Sequence, residues 1–137
     1  MSRNVALVRS LYESFAAGDL AALLGALSPS VVWNEAENFP YADRNPYCGP
    51  EAVGEGLFAR IAADWDLAVL PAEYIDAGDT IVALGRFKGR FRANGEALDA
   101  QFAHVFRIRD GKVVGFDEYA DTLQAARVMA TALVAAA

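Results

Sequence analysis

The stretch Leu98–Asp121, LDAQFAHVFRIRDGKVVGFDEYAD, decides the fold. In it Phe102, His104, Phe106 and Ile108 alternate with Ala103, Val105, Arg107 and Arg109, the period-2 pattern of a strand with one buried face. A second such run follows Arg109-Asp110-Gly111, so the stretch reads as two long antiparallel strands joined by a tight turn. It also carries His104, the only histidine of the chain.

The turn type decides what faces that histidine. If Asp110-Gly111 is a two-residue type I′ loop, Asp117 lies directly opposite His104. If Arg109-Asp110-Gly111 is a three-residue loop with Gly111 left-handed, every pairing slips by one and the faces of the second strand exchange. Phe116 then lies opposite His104 and Glu118 one diagonal away, with Val114 and Ala120 on the same face. The first register exposes Phe116; the second buries Val114 and Phe116. The second is preferred on that ground, and it makes His104–Glu118 the candidate pair.

Working outward, residues 3–17 show a helical stripe of Val5, Val8, Leu11, Tyr12 and Phe15. Gly18 ends that helix and Asp19 caps a short one over residues 20–27, stopped by Ser28-Pro29. Residues 31–35 form a strand that puts Val31, Trp33 and Glu35 on one face. A loop rich in Pro, Tyr and Asn spans residues 38–50, and Pro50 starts a third helix reaching about Trp65, with Val53, Leu57, Ile61 and Trp65 as its stripe. Gly54 and Gly56 weaken it. Strands over residues 68–76, 80–92, 97–109 and 112–120 follow with turns and no crossover helices between them, which predicts an antiparallel meander. Asp121 caps a last helix, and the alanine-rich residues 128–137 read as helical tail.

At 137 residues the chain fits one domain, residues 1–137, able to bury about two-thirds of its unfolded surface without metal or disulfide support. Its hydrophobic fraction is 55% and its charged fraction 22%, a composition of globular rather than disordered chains. A net charge of −6 argues against nucleic acid as a partner, since phosphates are gripped by clustered Lys and Arg. One cysteine, Cys48, excludes an internal disulfide, and no Cys/His cluster suggests zinc. No apolar run reaches the length of a membrane span and no leader pattern opens the chain, so a cytoplasmic protein is expected.

The order of elements, the Gly18-Asp19 step, Val31-Val32-Trp33, residues 47–53 (YCGPEAV), and the ending from His104 through Glu118-Tyr-Ala-Asp121 resemble the SnoaL-like branch of the NTF2-like superfamily over nearly the whole chain. The resemblance implies an α+β cone: a strongly curved antiparallel β-sheet wrapped around three α-helices, with a C-terminal helix and an enclosed pocket. It implies a range of functions, among them isomerases, polyketide cyclases, hydrolases, dehydratases, transport factors and binding modules. In SnoaL-type cyclases a histidine on the penultimate strand faces an aspartate on the last strand that serves as general base. His104 matches the first, and Glu118 stands at the aspartate's place. In the related ketosteroid isomerases the base lies on the first strand, at a position that counts to Glu35, and a protonated acid donates to the oxyanion from the position of His104. The tyrosine those enzymes use on the first helix counts to Leu11, one residue before Tyr12.

His104 is thus either a general acid or oxyanion donor tuned by Glu118 or Glu35, or a core histidine bonded to a carboxylate for structure alone. Glu35 and Glu118 on apolar strand faces must pair or shift their pKa values. Two carboxylates around one imidazole suit proton abstraction beside a carbonyl. Trp33, Tyr12, Phe39, Phe58, Phe102, Phe106 and Phe116 are the candidate ligand-binding residues, around a small hydrophobic molecule. The back of the sheet, with Ala103 and Val105 among charged neighbours, suggests a homodimer. No metal, nucleotide or flavin motif is present, so no cofactor is expected. The functional alternatives are a cofactor-independent isomerase, cyclase or hydratase, a non-catalytic binding module, and a dimeric interaction protein.

Overall fold

In the computed structural model, which describes residues 1–136 and side chains as far as residue 130, the quoted hairpin is the centre of a six-stranded sheet. Helix α1 (Arg3–Ala16) starts at an N-cap where Ser2 Oγ accepts from the Val5 amide, and α2 (Leu20–Gly25) at Asp19, which accepts from the Ala22 amide. Strand β1 (Leu27–Asn34) follows, then a 3₁₀ turn (Pro40–Arg44) and the two-residue strand β2 (Tyr47–Cys48). A helix numbered here α3 is π-helical over Ala52–Phe58 and α-helical over Ala59–Asp64. Then come β3 (Trp65–Ala77), β4 (Thr80–Phe91), β5 (Ala97–Arg109), β6 (Lys112–Ala120) and α4 (Thr122–Ala136), whose first turn Asp121 caps through the Gln124 amide. The end of the expected alanine-rich tail lies outside the described residues.

Strand order is β2-β1-β6-β5-β4-β3. The meander β3 to β6 is antiparallel as expected, but β1 joins β6 in parallel, so the curved sheet is mixed rather than wholly antiparallel. The third helix begins as anticipated and buries Val53, Leu57 and Ile61, but Trp65 already belongs to β3. Its first half, holding Gly54 and Gly56, takes the wider π form.

The hairpin adopts neither of the two registers drawn from sequence. Its turn is the two-residue form: Arg109 pairs with Lys112, and Asp110 and Gly111 have φ of 51° and 73°, both left-handed as a type I′ turn requires. The pairing then shifts between Arg107 and Ile108, because Val113 faces Ile108 while Gly115 faces Arg107. Val114 is an extra residue, a β-bulge. The energetic reason is that either regular register loses a large apolar side chain from the core. The unbulged two-residue hairpin buries Val113 but turns Phe116 out; the three-residue loop buries Phe116 but puts Val113 outside and Lys112 in. With the bulge, Val113 and Phe116 are both buried, worth about 2 kcal/mol each against about 1 kcal/mol for a disrupted ladder bond. Val114, expected inside, is only half-buried. Beyond the bulge Phe106 faces Phe116 and His104 faces Glu118 directly, not diagonally.

On β1 a wider irregularity between Leu27 and Val32 absorbs Ser28-Pro29-Ser30, after which Trp33 lies beside Phe116, ring on ring at 3.8 Å.

Candidate active site

Four elements bring polar side chains into one apolar space. From β5, His104 points inward and is 5% exposed; from β6, opposite it, Glu118 is 6% exposed. Directly opposed residues of an antiparallel pair hold their Cβ atoms about 5 Å apart, close enough for the two side chains to meet. His104 Nε2 stands 2.9 Å from Glu118 Oε2. On the far side of the imidazole, Tyr12 of α1 brings its hydroxyl within 2.8 Å of Nδ1. Phe102 stacks flat on the imidazole at 3.9 Å and sets its plane.

Glu35, just past the end of β1, is also buried. The period of two along the extended chain places it on the same face as Trp33, whose indole N–H donates to Glu35 Oε2 at 3.0 Å. Its main chain is clamped by Asn45: the Glu35 amide donates to Asn45 Oδ1 at 3.0 Å, and Asn45 Nδ2 donates to the Glu35 carbonyl at 2.8 Å. The next amide, of Ala36, donates a long bond of 3.4 Å to Glu118 Oε1.

These groups occupy one wall of a cavity with about 80 Å³ of room for the centres of water-sized molecules. Trp33, Phe58, Phe106 and Phe116 line it, as anticipated, together with Tyr12 and Phe39. Phe102 does not; it sits behind the imidazole. α3, β3 and β4 offer the cavity only apolar groups, including Leu57, Ile61, Leu67, Val69 and Phe87. Tyr41, from the 3₁₀ turn, and Trp65 also line it, and sequence reasoning missed both. Tyr41 donates to Asp64 Oδ2 at 2.6 Å and accepts from the Trp65 indole at 3.1 Å, which ties the loop to α3 and β3. Nothing periodic marks a loop tyrosine, so no sequence signal could have found it; Asn45 was equally silent. Trp65 was visible only as the end of a helical stripe.

Among the described residues no Lys or Arg lines this space, and that governs its electrostatics. Burial raises the Glu118 carboxyl to about 7. Burial and the neighbouring Glu118 charge raise Glu35 well above the usual carboxylate range, partly opposed by the Trp33 hydrogen bond. Burial lowers His104 to about 3 and lifts the Tyr12 phenol. A carboxylate at contact distance favours imidazolium, but desolvation wins here and the ring is neutral. With Glu118 ionised, Nε2–H donates to its carboxylate and Nδ1 accepts from the Tyr12 hydroxyl. The geometry therefore offers a carboxylate base, a neutral imidazole orienting it, and in Glu35 a carboxylic acid with one O–H to give. Among the described residues no group of His, Cys, Asp and Glu side chains is placed to hold a metal ion.

The curved sheet, the helices packed on it and the apolar cavity define an NTF2-like protein. An NTF2-like protein of Burkholderia thailandensis E264 is 31% identical, with a TM-score of 0.87 over 94% of this chain and 98% of that one. TerC, co-crystallised with polyporic acid, shares the fold at 23% identity and a TM-score of 0.83, over 94% of this chain and 99% of its own. A putative SnoaL-like polyketide cyclase of Jannaschia sp. CCS1 shares it at 17% identity and 0.79, over 92% and 90%. Residues 8–116 match the model of the SnoaL-like domain, and the chain belongs to that family. No curated protein matches it.

Proposed function

We propose that this protein is a cofactor-independent acid–base catalyst of the isomerase, cyclase or hydratase type, acting on a small, uncharged, apolar carbonyl compound. The observation that carries this reading is the Tyr12–His104–Glu118 chain of hydrogen bonds ending in a buried carboxylate at one wall of an apolar cavity. Glu118 is the base: its ordinary pKa is moved toward neutrality, where general bases work best. His104 and Tyr12 hold its orientation. Protonated Glu35 donates to the carbonyl oxygen, where negative charge develops as the α-proton leaves. Phe58, Phe106 and Phe116 position a flat ligand. The same reading includes a homodimer formed through the outer sheet face, where Val32, Leu70, Ile75 and Tyr119 are 41–63% exposed.

A second reading, a binding module without chemistry, is favoured by one observation: among the described residues no buried polar side-chain atom lacks a partner. Deuterium exchange at the α-carbons of 2-tetralone in D₂O, followed by NMR, separates the two. Catalysed exchange that falls about 10²–10⁴-fold in Glu118→Gln supports the base. Saturable binding of 2-tetralone without exchange above buffer overturns catalysis and leaves the binding module.

A further inference from the structure

The cavity has a pronounced charge preference that the proposed carbonyl chemistry does not use. Every titratable group facing it is an acid or a neutral hydrogen-bonding group: Tyr12 from α1, Glu35 after β1, Tyr41 from the 3₁₀ turn, His104 from β5 and Glu118 from β6. α3, β3 and β4 contribute no charge to it. An anionic ligand would face two carboxyl groups with no cation to receive it. A metal ion would find too few ligands, and a small hydrated ammonium would lose its water to walls of Leu, Val and Phe. What these walls do suit is a large, weakly hydrated cation. Trp33, Phe58, Phe106 and Phe116 line the same cavity as the two carboxyls, Trp33 stacked on Phe116 and edge-on to Phe58 and Phe106, and aromatic rings attract such ions, most strongly out of water. The chain's net charge of −6 favours the approach of cations.

We propose that this cavity is a receptor for a hydrophobic ammonium ion, a quaternary or tertiary amine carrying an aryl or alkyl group, with the Glu118 carboxylate as its counter-charge and Glu35 as a neutral neighbour. This goes beyond the acid–base reaction and does not depend on it. Binding requires the Glu118 carboxylate, so it strengthens as pH rises through neutrality, and near pH 7 it expels a proton to the buffer.

The two tryptophans of the chain, Trp33 and Trp65, both line the cavity, so intrinsic fluorescence reports occupancy without a label. Phenyltrimethylammonium and tert-butylbenzene have the same shape and differ by one charge. At pH 8 the cation is expected to bind at least about tenfold more tightly than the hydrocarbon, an advantage that shrinks to near parity at pH 5. Calorimetry of the cation at pH 7 in buffers of different ionisation enthalpy should show proton release, and tert-butylbenzene none. Glu118→Gln removes most of the pH dependence; Glu35→Gln, with Glu118 intact, retains it. The proposal is overturned if the hydrocarbon binds as tightly as the cation at pH 8, if no binding of the cation is seen, or if no proton is released. None of these readouts involves 2-tetralone exchange, so this proposal and the catalytic one fail separately.

Discussion

His104 and Glu118 stand directly opposite each other on β5 and β6, Nε2 2.9 Å from Oε2, because one extra residue, Val114, intervenes between them and the turn. The Asp110-Gly111 turn alone would bring Asp117 to that place. Asp117 instead lies on the outer face, where it accepts from Arg107 at 2.7 Å and from Asn34 at 3.3 Å.

The bulge can be tested by residue count. Deleting Val114 restores a regular two-residue hairpin, which turns Phe116 and Glu118 outward. The loss of Phe116 from the core costs about 3–5 kcal/mol. Val114→Ala keeps the count and removes two methyl groups from a half-buried side chain, at a cost of about 1 kcal/mol or less. Urea denaturation of both variants compares the two; similar losses would show that the count of residues does not set the register.

Histidine NMR reads the electrostatics directly, since the chain has a single imidazole. The ring is expected to stay neutral from pH 9 down to about 4, because burial holds its pKa at about 3, with the proton on Nε2 while Glu118 is ionised above about pH 7. Tyr12→Phe removes the donor to Nδ1 and should cost about 1–3 kcal/mol while leaving the tautomer unchanged. Titration of the ring near 6.5 would put it in water and contradict the closed site.

Much of the fold was legible, and the misses are local. Alternation along β5 and the helical stripe of Val5, Val8 and Leu11 declared their buried faces, and Asp19 and Asp121 behaved as caps because capping depends on neighbours in the chain. The inward face of Glu118 was also foreseen, though from a three-residue loop that does not form: a turn and a bulge can place the same residues inside. The sequence sign of the bulge was Val113-Val114-Gly115, two apolar residues in a row before a glycine. The parallel seating of β1 on β6 has no short-range signal. Nor could sequence say that burial rather than the adjacent carboxylate sets the state of His104, because that balance depends on the whole lining.

Stability should fall with alkali because of Glu118. Its unfolded value is 4.5 and its folded value about 7, so between these the native state binds more protons than the unfolded one. That contribution is complete below pH 4.5 and is lost as pH rises through 7, a change of about 3 kcal/mol. His104 runs the other way: with 6.5 unfolded and about 3 folded, it destabilises the native state as pH falls from 6.5 toward 3. The two slopes oppose each other between pH 4.5 and 6.5. Glu118→Gln removes the alkaline loss, so its stability relative to the parent should rise by about 2–3 kcal/mol from pH 5 to pH 8.5. A difference that stays flat with pH would mean that Glu118 is not desolvated.

Two glycine substitutions separate close backbone approach from loose packing. A Cβ on Gly85 would lie 2.2 Å from the Leu70 carbonyl oxygen and 2.8 Å from Pro71 Cα, where β3 carries its own extra residue between Pro71 and Glu73. Backbone on the neighbouring strand can yield only by opening the β3–β4 pairing. A Cβ on Gly54 would meet Leu24 Cδ1 at 2.7 Å, the end of a flexible side chain that can turn aside. Alanine also restricts the unfolded chain more than glycine does, a gain of about 0.4–1 kcal/mol at compatible sites. Gly85→Ala should therefore destabilise by about 2 kcal/mol or more, whereas Gly54→Ala falls within about 1 kcal/mol of the parent. Thermal and urea unfolding of the pair would measure the contrast. Because Phe102 Cζ lies 2.7 Å from the same Gly85 Cβ position, the clash should also displace the ring that stacks on His104, and the imidazole signals should shift in Gly85→Ala but not in Gly54→Ala.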